Sequence, residues 1–286
     1  MQYIAETTEN KARELLGSDD GKLGGIAFPM GCSLNQVAAH YSPNPGDQKV
    51  LGKDDVVKFD LGVHVNGRII DSAWTMCWND RYLPLLSTVK EATLAGIRTA
   101  GIDVRLCDVG AAIQEVMEAG EIELDGKVHR IKCIRNLCGH NIVPYCIHGD
   151  KQVPSYNNGD QRRMEEFEFF AIETFGTTGS GYVENLVECS HYSKPSLHVP
   201  TNLNPKDRHL AAFITQHFNT LPFARRYVDR LGEPKHLASL KRLVDAQIVE
   251  DHPTLTDVKG SYVSQFEHTF VLRPTCKENL SISDDY

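Results

Sequence analysis

The sequence predicts an α+β domain made of two similar halves, and three observations carry that expectation. Helical patterns and hairpin patterns come in two successive runs, not in the strict strand–helix alternation of a parallel sheet. An Asn66-Gly67 pair between two β-rich stretches marks the clearest hairpin in the chain. No linker rich in Gly, Ser or Pro divides the 286 residues, so one domain over 1–286 is expected.

Residues 4–16 look like the last turns of a helix, because strong helix formers dominate and Gly17 offers a stop. From Gly21 to Tyr41 the chain reads as loop and short strand, punctuated by Pro29, Gly31 and the SPNPG turn at 42–46. Residues 55–78 form the hairpin. Asn66 and Gly67 supply the two positive-φ residues of a type I′ turn, which sets Val65 opposite Arg68, Gly62 opposite Asp71 and Asp60 opposite Ala73. Both aspartates then share a face as diagonal neighbours, roughly 7–8 Å apart at Cα. Gly62 and Ala73 are expected to leave space beside them, and Val57, Phe59, Leu61, Val63, Ile70, Trp74 and Met76 to face the core.

Helices are predicted over 84–100 and 105–119, the second from Leu106, Val109, Ile113, Val116 and Met117 at helical spacing. Strands are predicted over 121–135 around Asp125-Gly126, near 145–153, over 165–176 and over 261–274. Residues 205–246 read as helical from Leu210, Phe213, Ile214 and His217, inside a stretch after Ser190 that looks inserted into the second half.

Composition narrows the partners. A formal net charge of −8 without a long basic run argues against a nucleic-acid surface or an anionic-membrane surface, and favours a small partner. Residues 1–20 lack the apolar core of a secretory signal, and no apolar run is long enough to span a bilayer, so the chain reads as cytoplasmic. Eight scattered cysteines without a CxxC pair read as reduced thiols, none an obvious nucleophile.

The chemistry lies in a set of residues, since an isolated aspartate in a strand is commonly an exposed one. Asp60 and Asp71 share a face, Glu173 sits between apolar runs in FFAIETFG, and Glu267 sits in SQFEHTF. Each is a costly place for an unpaired charge. With His140 in NLCGHNI they make four carboxylates and one imidazole, a ligand set for two divalent cations that balance the buried charge. A rival set, Cys138, His140, Cys146 and His148, has the donors of a tetrahedral zinc site, but its spacing is unusual for one and it leaves the carboxylates unexplained.

The blocks GGIAFPMGCSLNQVAAHYSPNPGD, VVKFDLGVHVNGRIIDSAWT, IDVRLCDVGAAIQEVME, IRNLCGHNI, RMEEFEFFAIETFG, ECSHY and KGSYVSQFEHTFVLRPTC closely resemble the type 2 methionine aminopeptidases, in order and over nearly the whole chain. The resemblance implies the pita-bread fold, two pseudo-symmetric halves around a dinuclear metal centre, with a type 2 helical insertion at 192–258. It implies Asp60, Asp71, His140, Glu173 and Glu267 as metal ligands, with Asp71 and Glu267 touching both ions. It implies His40 and His148 as substrate-contacting histidines, and Phe28, Gly31, Ile147 and His191 as the methionine pocket. Glu173 would shuttle a proton and His148 would face the scissile carbonyl. Two ions drawn from cobalt, manganese, zinc or iron are the cofactors implied. The partners are N-terminal methionine peptides and nascent chains, with ribosome association, and a monomer is expected.

Departures from the family are a missing first helix and Lys-rich extension, Phe167 where relatives have Gly, and Pro222 and His252 near the pocket. Loss of a helix would uncover an apolar face of the first half's sheet. That motivates an alternative, a catalytically silent binding protein on the same fold. A proline-specific aminopeptidase is a third reading, disfavoured by the type 2 blocks and the insertion.

Overall fold

The computed structural model describes residues 1–283. Helix α1 (Gln2–Leu16) leads to strands β1 (Gly24–Leu34) and β2 (Val37–Ala39) and to the hairpin β3 (Val56–Val65) and β4 (Arg68–Cys77). Helices α2 (Leu83–Thr99) and α3 (Leu106–Ala119) follow, then β5 (Glu121–Leu124), β6 (Lys127–Arg130), β7 (Lys132–Cys133), β8 (Cys138–Ile142) and β9 (Gln152–Pro154). Strands β10 (Phe169–Thr177) and β11 (Glu184–Ser193) precede α4 (Pro205–Phe218), β12 (Phe223–Ala224), α5 (Arg225–Arg230) and α6 (Leu237–Asp245). Strands β13 (Glu250–Thr256), β14 (Val263–Leu272) and β15 (Lys277–Asn279) come last.

The main sheet runs β1-β3-β4-β14-β10-β8-β9, so the hairpin of the first half joins the strands of the second at β4–β14. A second sheet runs β12-β11-β13-β2. The turn chemistry produces the predicted hairpin: Asn66 has φ 48° and Gly67 φ 77°, and the register pairs Val65 with Arg68, Gly62 with Asp71 and Asp60 with Ala73. Gly17 ends α1 at φ 63°, as its sequence suggests.

Alternation sorts the central strands into two faces. Phe170 and Ile172 of β10 and Phe266 and Phe270 of β14 join Val89, Ile113 and Met117 of α2 and α3 in the largest core cluster. The intervening residues Ala171, Glu173, Gln265, Glu267 and Thr269 therefore project from the other side of the sheet. In the first half, Val57 and Phe59 pack with Met1 and Ala5 of α1, so the face expected to be core is covered there. Leu61, Val63, Ile70 and Trp74 are only half-buried, and Met76 is 40% exposed near the end of β4.

Four sequence expectations need correction. Residues 24–34 form an eleven-residue strand, not a loop. Its pairing with β3 is irregular, with register shifts flanking Phe28, and such irregularity is where Pro29 and the glycines are tolerated. The stretch 145–153 is a loop with strand only from Gln152, because Tyr145 adopts φ 61° and turns the chain. Helical 205–246 is three helices, α4 to α6, broken by Pro222 and Gly232. Gly62 leaves no vacant space, since a Cβ there would lie 2.1 Å from the Phe28 ring that packs on it.

Lys277 closes the C-terminus of α2, donating to the carbonyls of Ile97 and of Ala100, the latter at 2.7 Å. A cation there satisfies carbonyls that the helix leaves free and complements its dipole. Lys277→Met is expected to cost about 1–2 kcal/mol, read as a lower urea midpoint with an unchanged slope.

Candidate metal centre and adjoining histidine pocket

Five adjacent strands of the main sheet contribute one predicted ligand each: Asp60 from β3, Asp71 from β4, Glu267 from β14, Glu173 from β10 and His140 from β8. The pairings bring them into line. Glu173 is directly opposite Glu267, Glu267 opposite Ala73, and His140 opposite Ala171. Period-2 geometry then points the side chains to one face.

Between β4 and β14 the backbone ladder is short, and threonine hydroxyls extend it. Asp71 N donates to Thr269 Oγ1 at 2.9 Å and that hydroxyl donates to Asp71 O at 2.8 Å. Thr75 and Gln265 repeat the exchange, at 2.7 and 2.8 Å. Two reciprocal pairs thus fix the backbones on either side of the Ala73–Glu267 pairing.

Among the described residues, Asp71, His140 and Glu267 form the one group of this kind whose ligating atoms all lie within 4.8 Å of one another, and all three are buried. His140 Nε2 lies 3.8 Å from Asp71 Oδ2 and 3.7 Å from Glu173 Oε1. Gln265 Nε2 donates to Asp60 Oδ2 at 3.2 Å and to Glu173 Oε2 at 3.3 Å. Sequence reading missed Gln265, although its place two residues before Glu267 on one strand puts it on the same face.

The electrostatics are those of buried carboxylates packed against one another. Burial pushes the Asp60 carboxyl up to about 7. Burial, then the charges of Asp60 and Glu173, raise Asp71 well above the ordinary range. Burial also raises Glu173 and Glu267, with neighbouring carboxylates adding to it. Burial and His148 keep His140 neutral, the ligating form. Asp60 Oδ1, Asp71 Oδ1 and Glu267 Oε1 are buried with no hydrogen-bond partner. Unpartnered carboxylate oxygens converging with a neutral imidazole suit a hard or borderline divalent cation.

The rival thiol site does not form. Cys146 is exposed and its Sγ donates to His148 O at 3.0 Å, and Cys138 joins no ligand group among the described residues.

A cluster of histidines adjoins the carboxylates. The His148 ring stands edge-on to His140 at 4.4 Å. His40 lies 5.7 Å from the His191 ring and 6.3 Å from His252. Burial lowers His40 to about 3 and His148 to about 4, each with a histidine neighbour contributing, so both rings are neutral near pH 7. Phe28 and Ile147 share one apolar cluster. A Cβ on Gly31 would come within 2.9 Å of Asp60 Cβ, so the strand can approach the ligand only with glycine there.

The loop bearing His148 is fixed from both sides. Gly149 N donates to Asn141 O at 2.8 Å, and Lys151 N to Asn141 Oδ1 at 2.9 Å. Tyr145 packs on Gly67 at the hairpin tip, its N–H bonding Gly67 O at 2.9 Å. The structure places His148 against His140, Gly31 against Asp60, Phe28 on Gly62 with Ile147 in its cluster, and His40 beside His191. His252, noted in the sequence only as a departure, joins them, with Nε2 2.8 Å from Ser193 Oγ.

Comparisons with known proteins agree on one family. The sequence profile of metallopeptidase family M24 matches residues 2–194. Methionine aminopeptidase 2A of Arabidopsis thaliana is 56% identical over 100% of this chain and 65% of its own length. Methionine aminopeptidase 2 of Schizosaccharomyces pombe is 55% identical over 100% of this chain and 67% of its own. The chain thus spans about two thirds of the length of these curated relatives. The solved structure of a thermophilic Arx1 superposes with a TM-score of 0.80 at 14% identity, over 100% of this chain and 84% of that one, a likeness of fold. No helix among the described residues is long and apolar enough to cross a membrane.

Proposed function

From the premise that this chain belongs to metallopeptidase family M24, among the type 2 methionine aminopeptidases with their pita-bread fold, we propose that it removes the N-terminal methionine from peptides and nascent proteins with a small second residue. The observation that carries the reading is the convergence of Asp71, His140 and Glu267 with unpartnered oxygens, flanked by Asp60 and Glu173.

In this reading Asp60, Asp71, His140, Glu173 and Glu267 would hold two divalent ions drawn from cobalt, manganese, zinc or iron. When bound, such ions acidify a water and polarise a carbonyl. The remaining work belongs to side chains. Glu173 takes the proton of the attacking water and returns it to the leaving amine. Neutral His148 donates a hydrogen bond to the oxygen that gains charge. His40 contacts the substrate beside it, and Phe28, Gly31, Ile147 and His191 enclose the methionine side chain. Gln265, by holding one oxygen each of Asp60 and Glu173, leaves their other oxygens free for the centre.

The chain acts here as one catalytic domain over 1–286, with 192–258 as its insertion, as a monomer in the cytoplasm, with ribosome association as a further partner. The completeness of the acidic set weighs against a silent binding protein, since unneutralised buried carboxylates are a burden without a catalytic return.

The test is release of methionine from a Met-Ala peptide by the protein loaded with cobalt or manganese. Turnover is expected on Met-Ala, with little on an Xaa-Pro peptide. A folded, metal-loaded sample that releases no methionine, or one that prefers Xaa-Pro, overturns the reading.

A further inference from the structure

Behind the histidine pocket runs a buried polar chain that links α1 to α5. Glu9 and Arg226, 217 residues apart in sequence, form an ion pair whose side chains are 1% and 5% exposed. Glu9 Oε1 also accepts from Tyr227 OH at 2.6 Å and from Met30 N at 2.9 Å. Arg226 Nη1 donates to Ser42 Oγ at 2.8 Å and to Pro43 O at 3.1 Å. The Ser42 hydroxyl donates to Met30 O at 2.6 Å, and Ser42 N donates to Ser190 Oγ at 3.0 Å.

Ser190 is where this chain meets the pocket. Its Oγ lies 3.1 Å from His40 O and 3.0 Å from His191 Nδ1. His191 Nε2 lies 3.1 Å from Pro29 O, an atom that can only accept. The ring proton therefore sits on Nε2, so Nδ1 and the His40 carbonyl are two acceptors facing the one Ser190 O–H, which can only be shared between them. His40 itself has φ 62°, a left-handed backbone that a residue with a side chain rarely adopts. Such a conformation persists when its surroundings over-determine it. Here Thr254 Oγ1 donates to the His40 carbonyl at 3.2 Å, and the single Ser190 O–H is shared between that carbonyl and His191 Nδ1.

A buried ion pair is a poor device for stability alone, since apolar packing of the same volume does as well or better. This one spends its hydrogen bonds on the 42–43 segment adjoining His40. We propose that Glu9 and Arg226, acting through Ser42 and Ser190, are positioning residues that hold His40 and His191 in the pocket and so set affinity for the substrate's first residue. The inference rests on the pocket assignment of the proposed function. The strands bearing the carboxylates are not part of the relay, so its loss falls on binding more than on turnover.

The test compares Ser190→Ala, Ser190→Thr and the double variant Glu9→Gln/Arg226→Met, which removes both charges and leaves neither orphaned. Two readouts are taken: kcat and KM on a Met-Ala peptide at verified metal content, and the imidazole nitrogen signals of His40 and His191 in chelated protein. Ser190→Ala and the double variant are expected to raise KM roughly tenfold or more, with kcat within about threefold, and to shift the His40 ring signals. Ser190→Thr, which keeps the hydroxyl, is expected to restore both. Unchanged KM and unchanged ring signals, or a loss confined to kcat, overturn the proposal. Should the double variant fail to fold, Ser190→Ala decides alone. Should the unaltered protein cleave nothing, the functional reading fails while the ring signals still decide whether this network positions the histidines.

Discussion

Asp71→Asn is expected to abolish turnover on a Met-Ala peptide and, in the metal-free protein, to raise the unfolding temperature. Both effects come from one charge. Asp71 is 4% exposed, repelled by Asp60 and Glu173, with an Oδ1 that finds no partner. An amide of the same shape removes that repulsion, and relief of about 1–2 kcal/mol is expected in chelator. On the proposed reading, the same amide cannot supply the negative charge that bound cations would take from this ligand. Loss of the activation that those ions give is worth several kcal/mol, so turnover should fall roughly a thousandfold or more. Metal content, kcat and melting temperature in chelator are measured on the same preparation. A variant with full turnover, or one that melts earlier than the unaltered protein in chelator, would contradict the assignment.

The hairpin that carries Asp71 was legible in the sequence because its register is a local property. Asn66-Gly67 sets the turn, and every pair from Val65↔Arg68 to Asp60↔Ala73 follows from it. Glu173 and Glu267 were readable as costly charges in apolar strands, but their pairing was not, since no turn joins strands so far apart and only tertiary packing sets them opposite each other. The same holds for Glu9 and Arg226. Each sits in a helix whose pattern gives no hint of the other, and a buried ion pair has no local signal.

Strand β1 was misread for a different reason. Gly25, Pro29 and Gly31 are turn residues by local preference, yet in this strand the absent side chain at Gly31 admits Asp60 at close range. Local punctuation and close tertiary approach ask for the same residue, and the sequence alone does not separate them. The ring of Phe28 on Gly62 is a further case, in which a glycine that looks like spare room is a seat for an aromatic residue.

Removing the metal is expected to reverse the pH dependence of stability between about pH 6.5 and 8. Without cations, Asp60 holds its proton up to about pH 7, and Asp71, Glu173 and Glu267 hold theirs well above the usual carboxylate range. Their unfolded counterparts titrate near 4. Through the interval between, the folded chain binds more protons than the unfolded one, so the stability these groups contribute is lost as pH rises. Buried histidines act in the opposite sense. His40 and His148, lowered to about 3 and 4, add stability as pH climbs toward their unfolded value near 6.5, and nothing further above it. Above pH 6.5 the histidines no longer oppose the four carboxylates; buried Lys58, held well below its ordinary value, still does, but four groups outweigh one and the metal-free protein should melt progressively earlier on going to pH 8. With manganese or cobalt bound, protons and cations compete for the same oxygens, so stability should hold or rise over the same range. Melting temperatures in chelator and in excess metal at half-unit pH steps read the two slopes. A metal-free protein that becomes more stable from pH 6.5 to 8 would mean that these carboxylates are not packed against one another. In Asp71→Asn the metal-free slope should flatten, since one of the groups that forces protons onto its neighbours is gone.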